Sequence, residues 1–252
     1  MINIGTSGWS YKHWKGVFYP EKLPQKKWLE YYAEHFNTVE VNSSFYHIPK
    51  ETVTDGWGRR TPGNFCFSIK MSRLVSHIHR LKNCKETLEW FFRNTAPLAV
   101  KTYVYLIQLP PSFCPGNEVL AAFLKELKET ASTQLPQLYK TRFAFEFRNP
   151  QCYNPATAEI LKNNSIAFCF HDFSEAGTDS MEKFITSGFI YIRFHGYGNR
   201  YGGSYPDTVL KDWALKIVDW EAKGFDVYTY FNNDAEGFAV QNALTLKSYI
   251  GT

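Results

Sequence analysis

Seven short segments of this chain share one form: an apolar, β-branched or aromatic run that stops on polar residues. They read TVEVN (38–42), FCFSIK (65–70), YLIQLPP (105–111), FAFEFR (143–148), IAFCFHD (166–172), YIRFHG (191–196) and YTYFNND (228–234), with INIGTSGW (2–9) as a looser eighth. Strand, polar tip and helix in repetition is the pattern of a parallel α/β protein, which gathers functional groups at the carboxyl edge of its sheet. Eight strands in 252 residues predict a single closed (β/α)8 barrel spanning 1–252 rather than an open doubly wound sheet. No G-x-G-x-x-G follows the first strand, which also argues against a dinucleotide fold.

Helical periodicity fills the gaps between strands. QKKWLEYYAEHF (25–36) sets Trp28, Leu29, Tyr32 and Phe36 on one stripe, and NEVLAAFLKELK (117–128) starts with Asn117 as a candidate N-cap. Asn154 with Pro155 opens a helix over 154–162, and Asp207 opens another that stops at Gly224. Shorter helices are expected near 51–60 and 84–94, and a terminal one near 235–249 capped by Asp234; the signal over 173–187 is poor.

Side chains alternate along a strand, so each run sorts into two faces. Phe143, Phe145 and Phe147 oppose Ala144, Glu146 and Arg148; Val39 and Val41 oppose Glu40 and Asn42; Ile192 and Phe194 oppose Tyr191, Arg193 and His195. The aromatic face meets the helices, where each large side chain contributes about 1.5–3 kcal/mol on burial. The polar face then points inward and brings Glu40, Asn42, Lys70, Gln108, Glu146, Arg148, Arg193 and His195 to one mouth. Buried charges must pair or hold a ligand. The set therefore reads either as a barrel-filling ion-pair network or as a site that neutralises an anion and moves a proton.

In the second reading Glu40, Glu146, His195 and Asp172 are the acid–base candidates. Alternation lets only one of His171 and Asp172 face inward, and the strand-end carboxylate Asp172 is preferred. Asn42, Lys70, Gln108, Arg148, Arg193, Asn232 and Trp9 are the substrate-binding candidates. A divalent metal on Glu40, Glu146, Asp172, His171 and His195 is an alternative, although no H-x-H, H-E-x-x-H or D-x-D spacing occurs, and no G-x-S-x-G elbow supports a serine triad. The glycine-rich GYGNRYGG (196–203), with Arg200, follows the seventh strand, where such barrels commonly bind phosphate. The long aromatic loop after the first strand (5–20) carries Trp9, Tyr11 and Trp14, suited either to flooring a cleft or to packing over the barrel end.

A net charge of +4 suits a small anionic ligand and is too weak to establish nucleic-acid binding. Five cysteines without a C-x-x-C pair argue against a disulfide framework or structural zinc, and Cys66 and Cys169 read as buried thiols. The chain enters its first strand without a leader and has no stretch long enough to span a bilayer, so a cytoplasmic, non-membrane protein is expected.

Several long motifs resemble the YecE-like family, catalogued as domain of unknown function 72: GTSGWSYKHWKGVFYP, YAEHFNTVEVNSSFYHIP, IQLPPSF, FEFRNP, YIRFHG and YFNNDAEGFAVQNA, in that order along the chain. The resemblance implies a TIM barrel and carries no established reaction. The chain departs from the family's usual pattern at His47, where an Arg is common, and at Gln151, Cys152 and Tyr153, where a Ser-Trp pair is common. The reading that results is an enzyme, a hydrolase or a proton-transfer lyase or isomerase, acting on a small anionic, phosphorylated or polyhydroxyl substrate. Nucleic-acid binding by analogy to endonuclease IV-like barrels and a non-catalytic metabolite sensor are its rivals.

Overall fold

The computed structural model describes residues 1–135, 141–172, 182–198 and 201–251. Its strands are Ile2–Thr6 (β1), Thr38–Val41 (β2), Cys66–Lys70 (β3), Thr102–Gln108 (β4), Arg142–Glu146 (β5), Ala167–Phe168 (β6), Phe170–His171 (β7), Phe189–Phe194 (β8) and Asp226–Phe231 (β9). Every pairing is parallel, in a five-stranded sheet of order β2-β3-β4-β5-β6 and a four-stranded sheet of order β1-β9-β8-β7. The expected sixth strand is thus split. Cys169 interrupts it, turning its amide to Phe145 O (2.8 Å), and the two halves belong to different sheets.

At the other seam, Ser7 and Glu40 form an isolated parallel bridge. The backbones are very close there: a Cβ on Gly5 would lie 2.3 Å from the Thr38 carbonyl oxygen. Only glycine fits that approach.

The helices are Trp28–His35 (α1), Ser43–Tyr46 (α2), Glu51–Arg59 (α3), Lys85–Thr95 (α4), Asn117–Gln134 (α5), Pro155–Asn163 (α6), Asp207–Ala222 (α7) and Phe238–Ile250 (α8). Asn154 caps α6 by accepting from the Thr157 amide, with Pro155 in the first turn. Three expected ends differ. Gly116 rather than Asn117 is the N-cap of α5; residues Gln25–Lys27 form a 3-10 turn before α1; and the Asp234 side chain caps nothing. Its carboxylate instead accepts from Trp14 Nε1 (2.7 Å) and meets His13 Nε2 (3.2 Å), a tertiary use that a local reading does not foresee. The weak segment 173–187 lies largely outside the described residues, apart from a short turn at Glu182–Phe184.

The two faces of each strand bury two apolar clusters. Phe67, Phe145, Ile192 and Phe231 pack outward with the helices, whereas Cys66, Leu106, Ala144, Cys169, Tyr191 and Tyr230 form an inner cluster. This is the division that alternation predicts. Cysteine usage is corrected in one respect: Cys114, in the loop after β4, and Cys152, in a turn after β5, form a disulfide. Cys66, Cys84 and Cys169 are buried free thiols. Among the described residues no helix is long and apolar enough to cross a membrane.

Gly5→Ala should destabilise the protein by about 1–3 kcal/mol, because the added methyl must push β1 off β2. Urea denaturation measures this; a change within ~0.5 kcal/mol would show that the close approach relaxes freely.

Candidate active site

The inward polar face ends in a buried ionic centre. Arg193, at the end of β8, is fully buried and spans two carboxylates: Nη2 donates to Glu40 Oε1 on β2 (2.7 Å), and Nη1 donates to Glu146 Oε2 on β5. Glu40 also accepts from Ser7 Oγ (2.7 Å) and from Tyr191 OH (2.6 Å). Glu146 Oε1 accepts from Arg148 Nε (2.5 Å). Burial alone would raise the Glu146 carboxyl, but Arg148 and Arg193 overcome it and hold that group well below its ordinary range. It is a fixed anion at any physiological pH.

His195 adjoins this centre, with Nε2 3.2 Å from Arg148 Nη2 and Nδ1 3.1 Å from Asn232 Nδ2. Burial drives its pKa well down; Glu146 opposes this and the two arginines reinforce it, so the ring is neutral. Arg148 reaches outward to Tyr201 OH (2.8 Å), and Tyr201 itself has a left-handed backbone (φ 61°) in the loop after β8. Asn199 and Arg200 of that loop lie outside the described residues.

Lys70, at the end of β3, differs from the other cations. Only 9% of it is exposed, its Nζ lies 4.2 Å over the Phe45 ring, and among the described residues it has no carboxylate partner. Burial, reinforced by Arg193 and Arg148 against the pull of Glu146 and Glu40, brings its pKa to about 7. His77 stands nearby, edge-on to Phe45, in a π-helical turn Leu74–Ile78. Burial, then Lys70, Arg73 and Arg148, lower it to about 4.

The remaining candidates divide. Gln108 is buried and donates to the Leu109 carbonyl (2.7 Å), and Asn42 makes one long contact to Ser7 O (3.5 Å). Trp9 stands apart from the ionic centre, edge to face with Trp57 (5.4 Å, 88°). At the sixth strand the preference for Asp172 is corrected. His171 is the buried residue in register with Arg193, its Nε2 near Phe147 O and Tyr153 OH (2.7 Å each). Asp172 turns aside to accept from the His195 amide (3.0 Å) and Tyr205 OH, so its carboxylate fixes the backbone behind His195.

Among the described residues no three His, Cys, Asp or Glu side chains gather as a metal site; Glu40 and Glu146 direct their oxygens at arginines. Residues outside the sequence-based site list also enter: Ser7 and Tyr191 as partners of Glu40, and His77, Phe45 and Tyr201 around the cations. Of these, Tyr191 alternates with Arg193 and was legible as inward-facing; the others come from short helical turns and loops beyond the strand ends.

Parallel sheets with outer helices, and an ionic centre at the strand ends, define an α/β protein of TIM-barrel-like kind. The chain belongs to the DUF72 family, described as "Protein of unknown function DUF72", whose model matches residues 3–252. It is 35% identical to the UPF0759 protein YecE of Escherichia coli K12 over 233 residues, covering 87% of this chain and 82% of that one. Against the UPF0759 protein YunF of Bacillus subtilis it is 27% identical over 271 residues, covering 96% and 92%. The crystal structure of a DUF72 family protein from Thermotoga maritima is similar along the whole of both chains, with a TM-score of 0.84 and 30% identity. SacUVDE (TM-score 0.58, 9% identity) and the glycoside hydrolase PbGH5A of Prevotella bryantii (0.54, 11%) share the fold alone.

Arg193→Met should destabilise the protein by about 3–5 kcal/mol, since it strands two buried carboxylates. Glu146 adds a pH signature. Its folded pKa is depressed, so its stabilising effect is full above the unfolded value of 4.5 and fades as pH falls through the folded one. Urea midpoints measured from pH 7 to 3 should therefore fall steeply for the wild type and less steeply for Glu146→Gln. Parallel curves would exclude Glu146 as a source of the acid sensitivity.

Proposed function

We propose that this protein is a cytoplasmic, single-domain enzyme that binds a small anion at the carboxyl mouth of a closed eight-stranded barrel, where Lys70 moves a proton. Two features support closure: the β6–β7 run, shared by the two sheets, and the Ser7–Glu40 bridge between β1 and β2. Counting β6 and β7 as one interrupted strand makes a ring of eight.

The observation that carries the ligand class is the uncompensated amine of Lys70. Glu40 and Glu146 are balanced by Arg193 and Arg148, which leaves Lys70 as an additional cationic group in a poorly hydrated place. An anion arriving there supplies the missing counter-charge, so the amine takes up a proton as the ligand binds. Lys70 is then a general acid in the complex and a base once the anion leaves, a role suited to a group titrating near neutrality. In this reading Glu40 and Glu146 orient arginines, the buried Arg193 does not touch substrate, and Asn42, Gln108 and Asn232 line the approach. The substrate is a phosphorylated or carboxylated polyhydroxyl compound, and the reaction a hydrolysis or a proton transfer.

Sulfate, whose charge is constant near neutrality, tests the coupling by calorimetry. Its affinity should fall about tenfold per pH unit above about pH 7, the pKa of the free amine. Lys70→Met should weaken binding at least roughly tenfold at pH 6 and remove the pH dependence. Wild-type affinity that is flat from pH 6 to 9 would exclude Lys70 as the anion's partner.

A further inference from the structure

Beside the ionic centre, on the β1–β2 side, lies a cleft of about 630 Å³ lined by Gly8, Trp9, Ser10, Gln25, Asn42 and Trp57, with Arg60, just past the end of α3, at its rim. The volume falls within the range of small-molecule sites. Its aromatic wall is a corner: the Trp9 and Trp57 rings meet at 88°, so the two indoles present one open face and one edge rather than a parallel slot.

The wall is pre-positioned. Tyr19 OH donates to the Trp9 carbonyl (2.5 Å), and Tyr11 OH donates to the Ser7 carbonyl (2.5 Å). Between them Gly8 adopts φ +107°, where a Cβ would also strike the Tyr11 hydroxyl at 2.7 Å. A loop tied at both ends loses little entropy on binding.

The polar lining consists of hydroxyls and amides. Ser10 and Ser43 contribute hydroxyls, and Gln25 Nε2 donates to Ser10 Oγ (3.2 Å). Asn42 Oδ1 is buried and, among the described residues, has no hydrogen-bond partner; a small rotation of this cleft-lining side chain would offer it to a ligand O–H. The guanidinium at the rim is already committed: Arg60 donates to Glu30 (3.2 and 2.8 Å) and to the Lys26 carbonyl (2.5 Å), and it lowers Glu30 to about 2. The cleft therefore offers one exposed ammonium, Lys26, and otherwise neutral groups.

We infer that the cleft is a subsite for a hydroxyl-bearing sugar ring. An apolar C–H face packs on the indole corner, while ring hydroxyls donate to Asn42 Oδ1 and exchange bonds with the serines and Gln25. A planar base fits less well, because it stacks best between parallel faces and the indoles are perpendicular. Asn42 follows β2 directly, so the same amide borders both cleft and mouth. The assignment rests on the proposed anion site only in adding that the sugar carries its charge toward Lys70.

Saturation-transfer NMR and calorimetry with methyl β-glucoside, cellobiose and ribose test the cleft alone. Glucose 6-phosphate, ribose 5-phosphate, adenine and uracil test its reach and class. At least one neutral sugar should bind, and Trp57→Ala should weaken it roughly tenfold or more. Ser43→Trp, at an exposed position, should do the same by filling the cleft without removing a core contact. Both variants should leave sulfate binding within about twofold of wild type. Lys70→Met should spare the neutral sugar and weaken the sugar phosphate. Absence of neutral-sugar binding, sugar binding that neither cleft variant weakens, or binding of the bases alone would each overturn the subsite. Sulfate binding that survives the cleft variants keeps the two assignments separable.

Discussion

The arrangement of the strand ends depends on one buried guanidinium. Arg193 carries its charge into a fully buried position and, from β8 of the four-stranded sheet, binds carboxylates on β2 and β5 of the five-stranded one. Desolvating a guanidinium and two carboxylates is costly, and it is tolerated only where the geometry lets each group find several partners. Glu40 obtains three donors and Glu146 obtains two arginines, so each carboxylate is saturated from different directions. Three strands are consequently tied together by charge, above an inner cluster in which Tyr191 and Tyr230 add neutral links of their own: the Tyr191 and Ser68 hydroxyls lie 2.6 Å apart, and those of Tyr230 and Thr38 2.7 Å apart. The ionic centre is first a positional device.

That device shapes the chemistry by removing groups from it. A carboxylate held far below its ordinary pKa by two arginines is a poor proton carrier, and a buried imidazole held neutral, its Nε2 3.4 Å from Glu146 Oε1, is not much better. Under the proposed function, proton transfer falls to Lys70, which among the described residues has no carboxylate partner. Lys70 sits near enough to the arginines to be destabilised as an ammonium, yet remains slightly exposed. Burial, reinforced by the two arginines against Glu146 and Glu40, raises its free energy when charged, and the proposed anion would lower it. In the proposed reading, one local imbalance links ligand choice to proton movement.

Much of this was legible in the runs themselves. Period-two alternation in FAFEFR, TVEVN and YIRFHG separates helix-facing rings from inward Glu146, Glu40 and Arg193, and the structure keeps that division. The pattern works because a strand has no other way to solvate one face and bury the other. It loses force where the strand ends or breaks. Cys169 interrupts its run, and past His171 the chain leaves the sheet, so the Asp172 carboxylate follows the His195 amide instead of the inner face. Asp234 similarly yields a local cap for two partners from the first loop. The Cys114–Cys152 bond and the Trp9–Trp57 corner join segments about forty and fifty residues apart, and a single sequence has no period that encodes such meetings.

The contrast between mouth and cleft follows from where their residues come from. Strand tips supply Glu40, Glu146, Lys70 and Arg193, whose backbones are fixed by the parallel ladders, so charges can be set opposite one another at hydrogen-bond distance. The indoles come from a loop and a helix, Trp9 after β1 and Trp57 within α3, and they meet through ring packing. Ionic matching demands the tighter tolerance, because a misplaced buried charge costs far more than a shifted ring. Sheet residues therefore suit recognition of charge, and loop and helix residues suit recognition of shape. Asn42 stands at the join, directly after β2 and at the start of α2, with one buried oxygen unsatisfied among the described residues. A sugar bound as proposed, satisfying it from the cleft side, would be held one residue beyond the strand that presents Glu40, on the same rigid frame as the charged centre.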